Sequence, residues 1–425
     1  MATPLFFGLV GSVVAGFLVT VLLTGLVCEQ APRLGLLDRP TQARKVHTRT
    51  TPTGGGLAIA VGLAVGLGAL WGFWGPFPGA VQSLSFWGGA AIMLATGYWD
   101  DRHALDAKGK FAFQLVAAYL LLHSGTILPL PGGGTGALAT NAVSGTVAAG
   151  ALPFSEALYI IPLSMLWIVG IINAVNLIDG LDGLATGIIG IAFLACAALF
   201  GVKGEIALMA VGVVMAGALI GFLPHNFKPA TIFMGDSGSL LLGYLLAGYT
   251  LQGPLHTDPV MALLILPVLL GVPLLDTGTA IIRRFGSART IFAPDRRHVH
   301  HRLVDRGTEQ GAVLILYGVG AWFGSAAVLM GVLPTGWGFL LAGSTVTIAV
   351  VWAWRLGCLT PAPATDEMDT RQYSTRVLAE NDIPASIDIT ATGDTVPARG
   401  DGAVPEATQD QSADEQKAEE NPVAP

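Results

Sequence analysis

The chain has 425 residues, of which 52% are hydrophobic and only 12% are charged, and its mean hydropathy is +0.63. A soluble domain would carry about twice that share of charged residues, so the composition excludes an ordinary soluble enzyme. The formal net charge of −7 is unevenly distributed. After residue 360 there are 14 acidic and 4 basic residues, which gives that segment a charge of −10 and leaves the preceding part at +3.

Apolar runs of roughly twenty residues, the length that crosses a bilayer core as a helix, are separated by short polar, glycine or proline segments. They predict an all-α polytopic membrane bundle with about 11 spans, followed after residue 360 by an acidic disordered tail, residues 361–425. The spans are 5–27, 56–75, 85–99, 111–129, 157–175, 184–200, 205–223, 238–252, 259–282, 311–332 and 337–354.

Basic residues predict the orientation of the bundle. Residues 1–360, interpreted as a single membrane domain, contain 18 Lys and Arg, all of which except Lys203 fall on one side of this layout. That side is expected to be cytoplasmic, which places the N-terminus outside and the C-terminal tail inside. The first loop on this side concentrates positive charge that suits a phosphate-bearing ligand or anchors the orientation. The residues of this basic cluster are Arg39, Arg44, Lys45, His47 and Arg49.

The second cytoplasmic loop, GYWDDRHALDAKGKFAFQ, contains two adjacent carboxylates, Asp100 and Asp101, followed by Lys108 and Lys110. Adjacent carboxylates repel each other unless a cation, a basic side chain or a proton intervenes. A Mg²⁺ site or a proton-handling pair explains them, and so does a solvated loop.

The stretch NAVNLIDGLDG follows a hydrophobic run and places four oxygen-bearing side chains at a spacing of three: Asn173, Asn176, Asp179 and Asp182. This spacing turns them roughly toward one side if the segment is helical. Carboxylates at the end of a membrane span are costly and usually functional. We therefore interpret the stretch as one wall of a working site.

Two further carboxylates stand at span ends. Asp236 in FMGDSG precedes the eighth span, where it either helps to bind a metal that bridges to a ligand phosphate or caps the helix. Asp276 in PLLDTGTAIIRRFG lies about two turns before Arg283 and Arg284. A structural ion pair and a functional role explain Asp276 equally well.

The last large loop, RRFGSARTIFAPDRRHVHHRLVDRG, combines histidines with arginines. Clustered imidazoles can bind a transition metal, but so many guanidinium groups repel a metal and attract phosphate. Anion recognition is the preferred interpretation. The residues concerned are Asp295, His298, His300 and His301, among Arg289, Arg296, Arg297 and Arg302.

Carboxylates, amides and basic residues thus meet on one membrane face in four loops. Hard oxygen ligands indicate Mg²⁺, with Mn²⁺ as the alternative. Cations and a divalent metal suit the cleavage of a diphosphate, because charge on the phosphoryl oxygens must be neutralised. The Rossmann and Walker motifs are missing, which argues against ATP bound in a P-loop.

Four motifs, GYWDDRHALDAKGKFAFQ, NAVNLIDGLDGLATG, FMGDSGSLLLG and DRRHVHHRL, occur in an order that resembles the polyprenyl-phosphate N-acetylhexosamine-1-phosphate transferase family. The resemblance covers roughly residues 30–310. It implies transfer of a sugar 1-phosphate from a UDP-amino sugar to undecaprenyl phosphate at the cytoplasmic face of the bacterial inner membrane, with release of UMP. Nucleic acid is not an expected partner, and a homodimer is left open.

The resemblance also implies roles for individual residues. Asp236 and Asn176 resemble the metal ligands, and Asp100 and Asp101 resemble the pair near the lipid phosphate. A catalytic set and a substrate-binding set follow. The first comprises Asp100, Asp101, Asp236, His300 and His301; the second comprises Lys110, Asn173, Asp179, Asp182, Asn226, His298 and Arg302.

The family pattern leaves the donor open between two branches. The spacing Asp295-x-x-His298-x-His300-His301 resembles the branch that uses UDP-N-acetylglucosamine or related sugars to begin O-antigen, common antigen or teichoic acid. TPTGGG at residues 51–56 is instead close to a motif of the branch that transfers phospho-N-acetylmuramoyl-pentapeptide for peptidoglycan. From another class, an ion-coupled carrier would also place carboxylates in a helical bundle, although usually near the bilayer midplane.

Overall fold

The computed structural model describes residues 2–38, 50–76, 79–130, 153–286 and 298–359. Three sequence predictions lie outside these residues: the basic cluster at 39–49, the part of the last loop that includes Asp295, and the acidic tail after residue 360. Their predicted roles remain predictions.

Within the described residues the chain forms 13 α-helices, one short 3₁₀ helix at Gly79–Gln82 and one antiparallel pair of two-residue strands. The strands are β1 (Leu37–Asp38) and β2 (Thr51–Pro52). The helices are α1 (Ala2–Leu34), α2 (Gly55–Trp74), α3 (Leu84–His103), α4 (Ala107–His123), α5 (Phe154–Ile178), α6 (Leu184–Val202), α7 (Ile206–Asn226), α8 (Gly235–Thr250), α9 (Pro259–Leu269), α10 (Gly271–Gly286), α11 (Val299–Val304), α12 (Glu309–Val332) and α13 (Thr335–Arg355).

The predicted all-α multi-pass bundle is confirmed. Seven helices are long and apolar enough to cross a membrane, and the bent pair α9 and α10 raises the number to eight if it forms one span. Helices α3, α4 and α8 coincide with three further predicted spans, but α4 has only 17 residues, α8 has only 16, and α3 ends in the polar sequence WDDRH. The count of 11 spans remains a prediction.

The predicted ninth span, 259–282, is not one straight helix. It divides at Leu270 into α9 and α10, which meet at an angle of 82°. Pro273 explains the break, because proline lacks the amide hydrogen that would continue the helix and its ring collides with the carbonyl four residues earlier. The bend leaves the carboxylate of Asp276 in the second turn of α10.

Helix α8 is the centre of the bundle. Every residue from Ser237 to Thr250 is buried, and α8 packs against α2, α3 and α5. Glycines permit this close packing: a Cβ built on Gly97 of α3 would lie 2.2 Å from the carbonyl oxygen of Asp236. The start of α8, with its carboxylate, is therefore held against the end of α3.

The TPTGGG segment joins this central helix to the first loop. Phe233 donates its amide hydrogen to the Pro52 carbonyl, and Gly56 donates to the Met234 carbonyl. A Cβ on Gly56 would lie 2.2 Å from the amide nitrogen of Gly238. The glycines thus serve the close packing of α2 against the turn that carries Asp236.

Candidate active site

Four helix ends bring polar side chains together at one end of the bundle. Asp100 and Asp101 lie in the last turn of α3, and Lys110 lies in the first turn of α4. Asn176 lies in the last turn of α5, and Asp236 is the second residue of α8. Side chains predicted from separate motifs therefore share one cluster.

Lys110 is the cation at the centre of this cluster. Its Nζ lies 2.5 Å from Asp100 Oδ2 and 2.6 Å from Asp236 Oδ2. Asn176 approaches from the other side, where its Nδ2 donates to Asp236 Oδ1 at 2.9 Å and to Ser239 Oγ at 2.8 Å. About a quarter of the Asp236 and Lys110 side chains remains exposed, so the cluster is open to a ligand.

Asp101 holds the start of α8. Its Oδ1 accepts the amide hydrogen of Asp236 at 2.7 Å, and its Oδ2 accepts that of Ser237 at 3.1 Å. Unpaired amides at a helix N-terminus favour a negative charge. The two adjacent carboxylates therefore differ in role, since Asp101 caps a helix whereas Asp100 contacts Lys110.

Burial and neighbouring charges separate the acid strengths of these carboxylates, which lie beyond the predicted spans. Burial, then hydrogen bonding with Asp236, raises the pKa of Asp100 to about 6. Burial and the charge of Asp236 raise the pKa of Asp101 to about 7. Burial alone would also raise the pKa of Asp236, but the hydrogen bond with Asp100 and the charge of Lys110 lower it.

The segment Asp179–Gly183 is a loop. Helix α5 ends at Ile178, and Gly183 has a positive φ of 79°, which glycine adopts without strain. Asn173 and Asn176 are thus helical, while Asp179 and Asp182 are not, so the expectation of one helical face is wrong for this half of the motif. Burial, followed by the charges of Asp236, Asp101 and Asp182, raises the pKa of Asp179 to about 8.

Two of the predicted substrate-binding residues are engaged in holding loops. Asp182 Oδ2 accepts the amide hydrogen of Ala230 at 3.0 Å. Asn226 is buried, accepts a hydrogen bond from Thr186 Oγ1 at 2.7 Å and donates to the Ile232 carbonyl at 3.1 Å. The structure therefore places both residues at the 227–233 segment that leads to Asp236.

An ion pair that sequence reasoning missed supports the same segment. Lys228 Nζ lies 2.5 Å from Glu309 Oε2, and Glu309 Oε1 accepts the amide hydrogen of Asp182 at 3.4 Å. Glu309 is buried in the first turn of α12. Its position at a helix start after Thr308 was visible in the sequence, but its partner was not.

Asn173 faces a neighbouring helix. It exchanges two hydrogen bonds with Gln114 of α4, at 2.7 and 3.2 Å, and donates a third to the Val169 carbonyl. A reciprocal amide pair of this kind fixes the packing of α4 against α5. Asn173 thus positions the helix that carries Asn176.

The predicted histidine cluster forms on and before the short helix α11. The His298 and His300 rings stack with centroids 5.4 Å apart, and the His300 and His301 centroids are 4.3 Å apart. His298 and His300 are buried, whereas His301 and Arg302 are partly exposed. Asp276 of α10 lies beneath them, 2.7 Å from His298 Nδ1.

The histidine cluster meets the Asp179–Gly183 loop. A Cβ built on Gly180 would lie 3.1 Å from His300 Nε2, so this ring nitrogen faces the backbone of the loop. The sequence motifs NLIDGLDG and DRRHVHHRL are thereby brought into contact although they are more than 100 residues apart.

Two groups of side chains differ in the metal that they could hold. Asp236 and Asn176 offer a partly exposed carboxylate and an amide oxygen, the hard donors that suit Mg²⁺. Asp276, His298 and His300 have donor atoms within 4.8 Å of one another, and nitrogen donors suit transition metals. In the structure the two Asp236 oxygens are bonded to Lys110 and Asn176. Oxygen donors beside a partly exposed ammonium group suit a metal that meets a phosphate.

Comparison with known proteins gives the family. A sequence profile described as glycosyl transferase family 4 matches residues 83–253, from α3 to the end of α8. The chain is 36% identical over 320 residues to a probable undecaprenyl-phosphate N-acetylglucosaminyl 1-phosphate transferase from Bacillus subtilis, covering 75% of this chain and 83% of that protein. The chain belongs to the polyprenyl-phosphate N-acetylhexosamine-1-phosphate transferase family.

Other members of this transferase family support the same assignment. A decaprenyl-phosphate N-acetylglucosaminephosphotransferase from Mycolicibacterium smegmatis is 37% identical over 79% of this chain and 85% of its own length. An undecaprenyl-phosphate alpha-N-acetylglucosaminyl 1-phosphate transferase from Salmonella typhi is 28% identical over 74% of this chain and 80% of its own length. The chain is thus a membrane phosphotransferase, and the ion-coupled carrier alternative is set aside.

Proposed function

We propose that the chain transfers N-acetylglucosamine 1-phosphate from UDP-N-acetylglucosamine to undecaprenyl phosphate, releasing UMP, at the cytoplasmic face of the bacterial inner membrane. The observation that carries the proposal is the cluster of Asp100, Lys110, Asn176 and Asp236, which collects an ammonium group, two carboxylates and an amide at the ends of membrane helices. Relatives from three organisms are named for N-acetylglucosamine phosphate transfer to a polyprenyl phosphate.

The acceptor phosphate needs little activation. A phosphate monoester has a second pKa near 6, so it is largely a dianion at neutral pH and attacks the β-phosphorus of the donor directly. We assign the acceptor-facing role to Asp100. Both oxygens of Asp101 accept amide hydrogens of α8, whereas Asp100 accepts one amide hydrogen, from Leu105, and meets the Lys110 ammonium group through its other oxygen. Asp100 then positions the nucleophile through Lys110, whose ammonium group attracts the phosphate oxygens.

Mg²⁺, with Mn²⁺ as the alternative, would be held by Asp236 and Asn176 and would neutralise charge on the diphosphate. Asp236 remains ionised, since its pKa is lowered by the hydrogen bond with Asp100 and the charge of Lys110, which outweigh burial.

Asp179, Asp182 and Asn226 support the nucleotide side, and His298, His300, His301 and Arg302 hold the sugar diphosphate. We expect a single displacement without a phosphorylated enzyme; a phosphoprotein trapped from labelled donor without acceptor would contradict this.

The downstream polymer is proposed to be a cell-envelope polysaccharide of the O-antigen, common-antigen or teichoic-acid type. The alternative donor, UDP-N-acetylmuramoyl-pentapeptide, was suggested by the motif TPTGGG. In the structure, Gly55 and Gly56 of this motif pack closely against Phe233 and Met234. These packing contacts explain the glycines without reference to the donor. The names of the relatives support the preference for N-acetylglucosamine.

The first test is a panel of donors with purified protein, Mg²⁺ and undecaprenyl phosphate. UDP-N-acetylglucosamine, UDP-N-acetylgalactosamine and UDP-N-acetylmuramoyl-pentapeptide are compared by UMP release and by mass of the lipid product. We expect product with UDP-N-acetylglucosamine. Product from the pentapeptide donor alone would overturn the donor assignment, and a parallel assay with decaprenyl phosphate tests the acceptor length.

The second test removes the charge of Asp236. Asp236→Asn should reduce UMP release to the background of heat-inactivated protein, because the oxygen ligand and the charge that meet the metal are weakened together. The thermal unfolding midpoint in detergent should stay within a few degrees of wild type. Asp258→Asn is the matched control, since Asp258 only caps α9. Turnover of Asp236→Asn near wild type at ordinary Mg²⁺ would refute its role.

A further inference from the structure

Asp276 is a buried carboxylate to which the proposed reaction assigns no role. It is 2% exposed, lies in α10 and contacts three groups of the histidine cluster. Its Oδ1 accepts the amide hydrogen of Val299 at 2.6 Å, and its Oδ2 lies 2.7 Å from His298 Nδ1. One carboxylate therefore holds both the backbone and a side chain at the start of α11.

The same oxygen also reaches the second buried imidazole. His300 Nδ1 lies 3.4 Å from Asp276 Oδ2, and this nitrogen has no hydrogen bond among the described residues. The contact is therefore electrostatic. Asp276 is thus the common partner of His298 and His300, whose rings stack on each other.

A carboxylate at one ring nitrogen of a histidine influences the tautomer and the orientation of the other nitrogen. It favours a proton on Nδ1 and directs Nε2 away from itself. For His300, Nε2 is the ring atom nearest to Gly180, in the loop between Asp179 and Asp182.

The surroundings argue against a metal at this place. Arg302 lies in α11 next to His301, Arg283 lies in the last turn of α10, and the Arg306 side chain donates to the Leu356 carbonyl. The Arg283 side chain is buried and donates to the Cys358 carbonyl. The guanidinium groups of this region repel a divalent cation and attract phosphate.

We propose that Asp276 is a positioning residue that orients His298 and His300, so that the Nε2 edge of His300 faces the Asp179–Gly183 loop and receives the donor diphosphate. This inference rests on the proposed function, because it takes a nucleotide sugar as the ligand of that loop. It assigns Asp276 to donor binding and not to the acceptor lipid.

The kinetic test uses Asp276→Asn, which keeps the size of the side chain and an acceptor for the Val299 amide but removes the charge. Loss of a hydrogen bond to a charged group typically costs roughly 10- to 100-fold in binding. We expect the KM for UDP-N-acetylglucosamine to rise by about 10-fold or more, while the KM for undecaprenyl phosphate stays within about twofold. Asp258→Asn, which removes another amide-accepting carboxylate, should leave both values unchanged.

Three kinetic or analytical results would overturn the proposal. These are equal rises of both KM values, wild-type parameters in Asp276→Asn, and stoichiometric zinc or another transition metal that the wild type contains and the variant lacks. A double-mutant cycle with His300→Gln guards against a general loss of structure. If Asp276 acts through His300, the second substitution adds less than about twofold to the first; fully additive effects contradict the proposal.

A spectroscopic readout separates this inference from the proposed function. In protein labelled with ¹⁵N-histidine, the wild type should show two imidazoles protonated at Nδ1 that are lost or shifted in Asp276→Asn. This holds whether or not UDP-N-acetylglucosamine is the donor. If no UDP-sugar is turned over and the histidine signals still depend on Asp276, the function is wrong and the positioning role stands. Signals that do not respond to Asp276→Asn overturn the positioning role.

Discussion

Lys110 shows why the chemistry of single residues could be read from the sequence only in part. The motif DDRHALDAKGK contains two lysines; the family resemblance selects Lys110, but nothing in their spacing separates it from Lys108. In the structure Lys108 is exposed, whereas Lys110 lies between Asp100 and Asp236. The difference arises from the start of α4 at Ala107, which turns the two side chains to different faces.

Substitution of Lys110 tests this difference. Lys110→Met should lower kcat/KM by roughly 100-fold or more, because it removes a fixed positive charge from a site that handles phosphate and leaves Asp100 and Asp236 to repel each other. Lys108→Met is the matched control, two residues earlier, and should retain near wild-type turnover. The measurement is UMP release by both variants. Equal losses of activity would show that Lys110 contributes no more to turnover than Lys108.

Other roles could not be read from the sequence because they depend on partners far along the chain. The reciprocal pair of Asn173 and Gln114, and the ion pair of Lys228 with Glu309, join residues 59 and 81 positions apart. The sequence of a single span shows that each of these residues is polar but does not show which residue it contacts. Asp276 is the same case, since its two histidines lie beyond a loop.

At the scale of elements, the sequence located the helices well but not their shapes. Each predicted span coincides with a helix or a helix pair. This agreement is expected because apolar runs, and the polar, glycine or proline segments between them, indicate helices however the helices pack. The 82° bend between α9 and α10 and the end of α5 at Ile178 were missed. The bend depends on Pro273. The end of α5 depends on the glycines of NLIDGLDG, a motif that was interpreted by its side-chain spacing alone.

The contact between α3 and α8 gives an element-scale prediction. Gly97→Ala would place a Cβ 2.2 Å from the Asp236 carbonyl oxygen, which forces the start of α8 away. We expect a loss of about 1–3 kcal/mol in the free energy of unfolding, together with a fall in UMP release. Gly88→Ala on the same helix is the control, because its Cβ would meet only Leu120 at 3.8 Å. Equal stability and activity of the two variants would contradict the argument.

At the scale of the whole molecule, the site is assembled at one end of the bundle. Hydrogen bonds and ion pairs connect the ends of α3, α5 and α7 and the second turn of α10 with the starts of α4, α8, α11 and α12 there. Lys203, which the sequence placed on the opposite side, donates to the Gly331 carbonyl at the far end of α12. The distribution of basic residues thus predicted which helix ends lie on the same side of the bundle, although not the distances between their side chains.

Labelling tests the predicted orientation. In a background with Cys28→Ser, Gly336→Cys at the start of α13 should react with a membrane-impermeant maleimide added to intact cells. Lys108→Cys should react only after permeabilisation, because the positive-inside rule places it in the cytoplasm. Both residues are exposed. The reverse pattern would invert the topology and place the site outside.

The complete burial of α8 has a consequence for how the enzyme responds to its membrane. Peripheral helices such as α1 and α13 expose apolar side chains and can tilt when the hydrocarbon thickness changes. Helix α8 is surrounded by protein from Ser237 to Thr250, so acyl chains cannot pull on it directly. The depth of Asp236 is therefore set by its neighbouring helices, so a change in acyl length can alter turnover only by moving α2, α3 or α5.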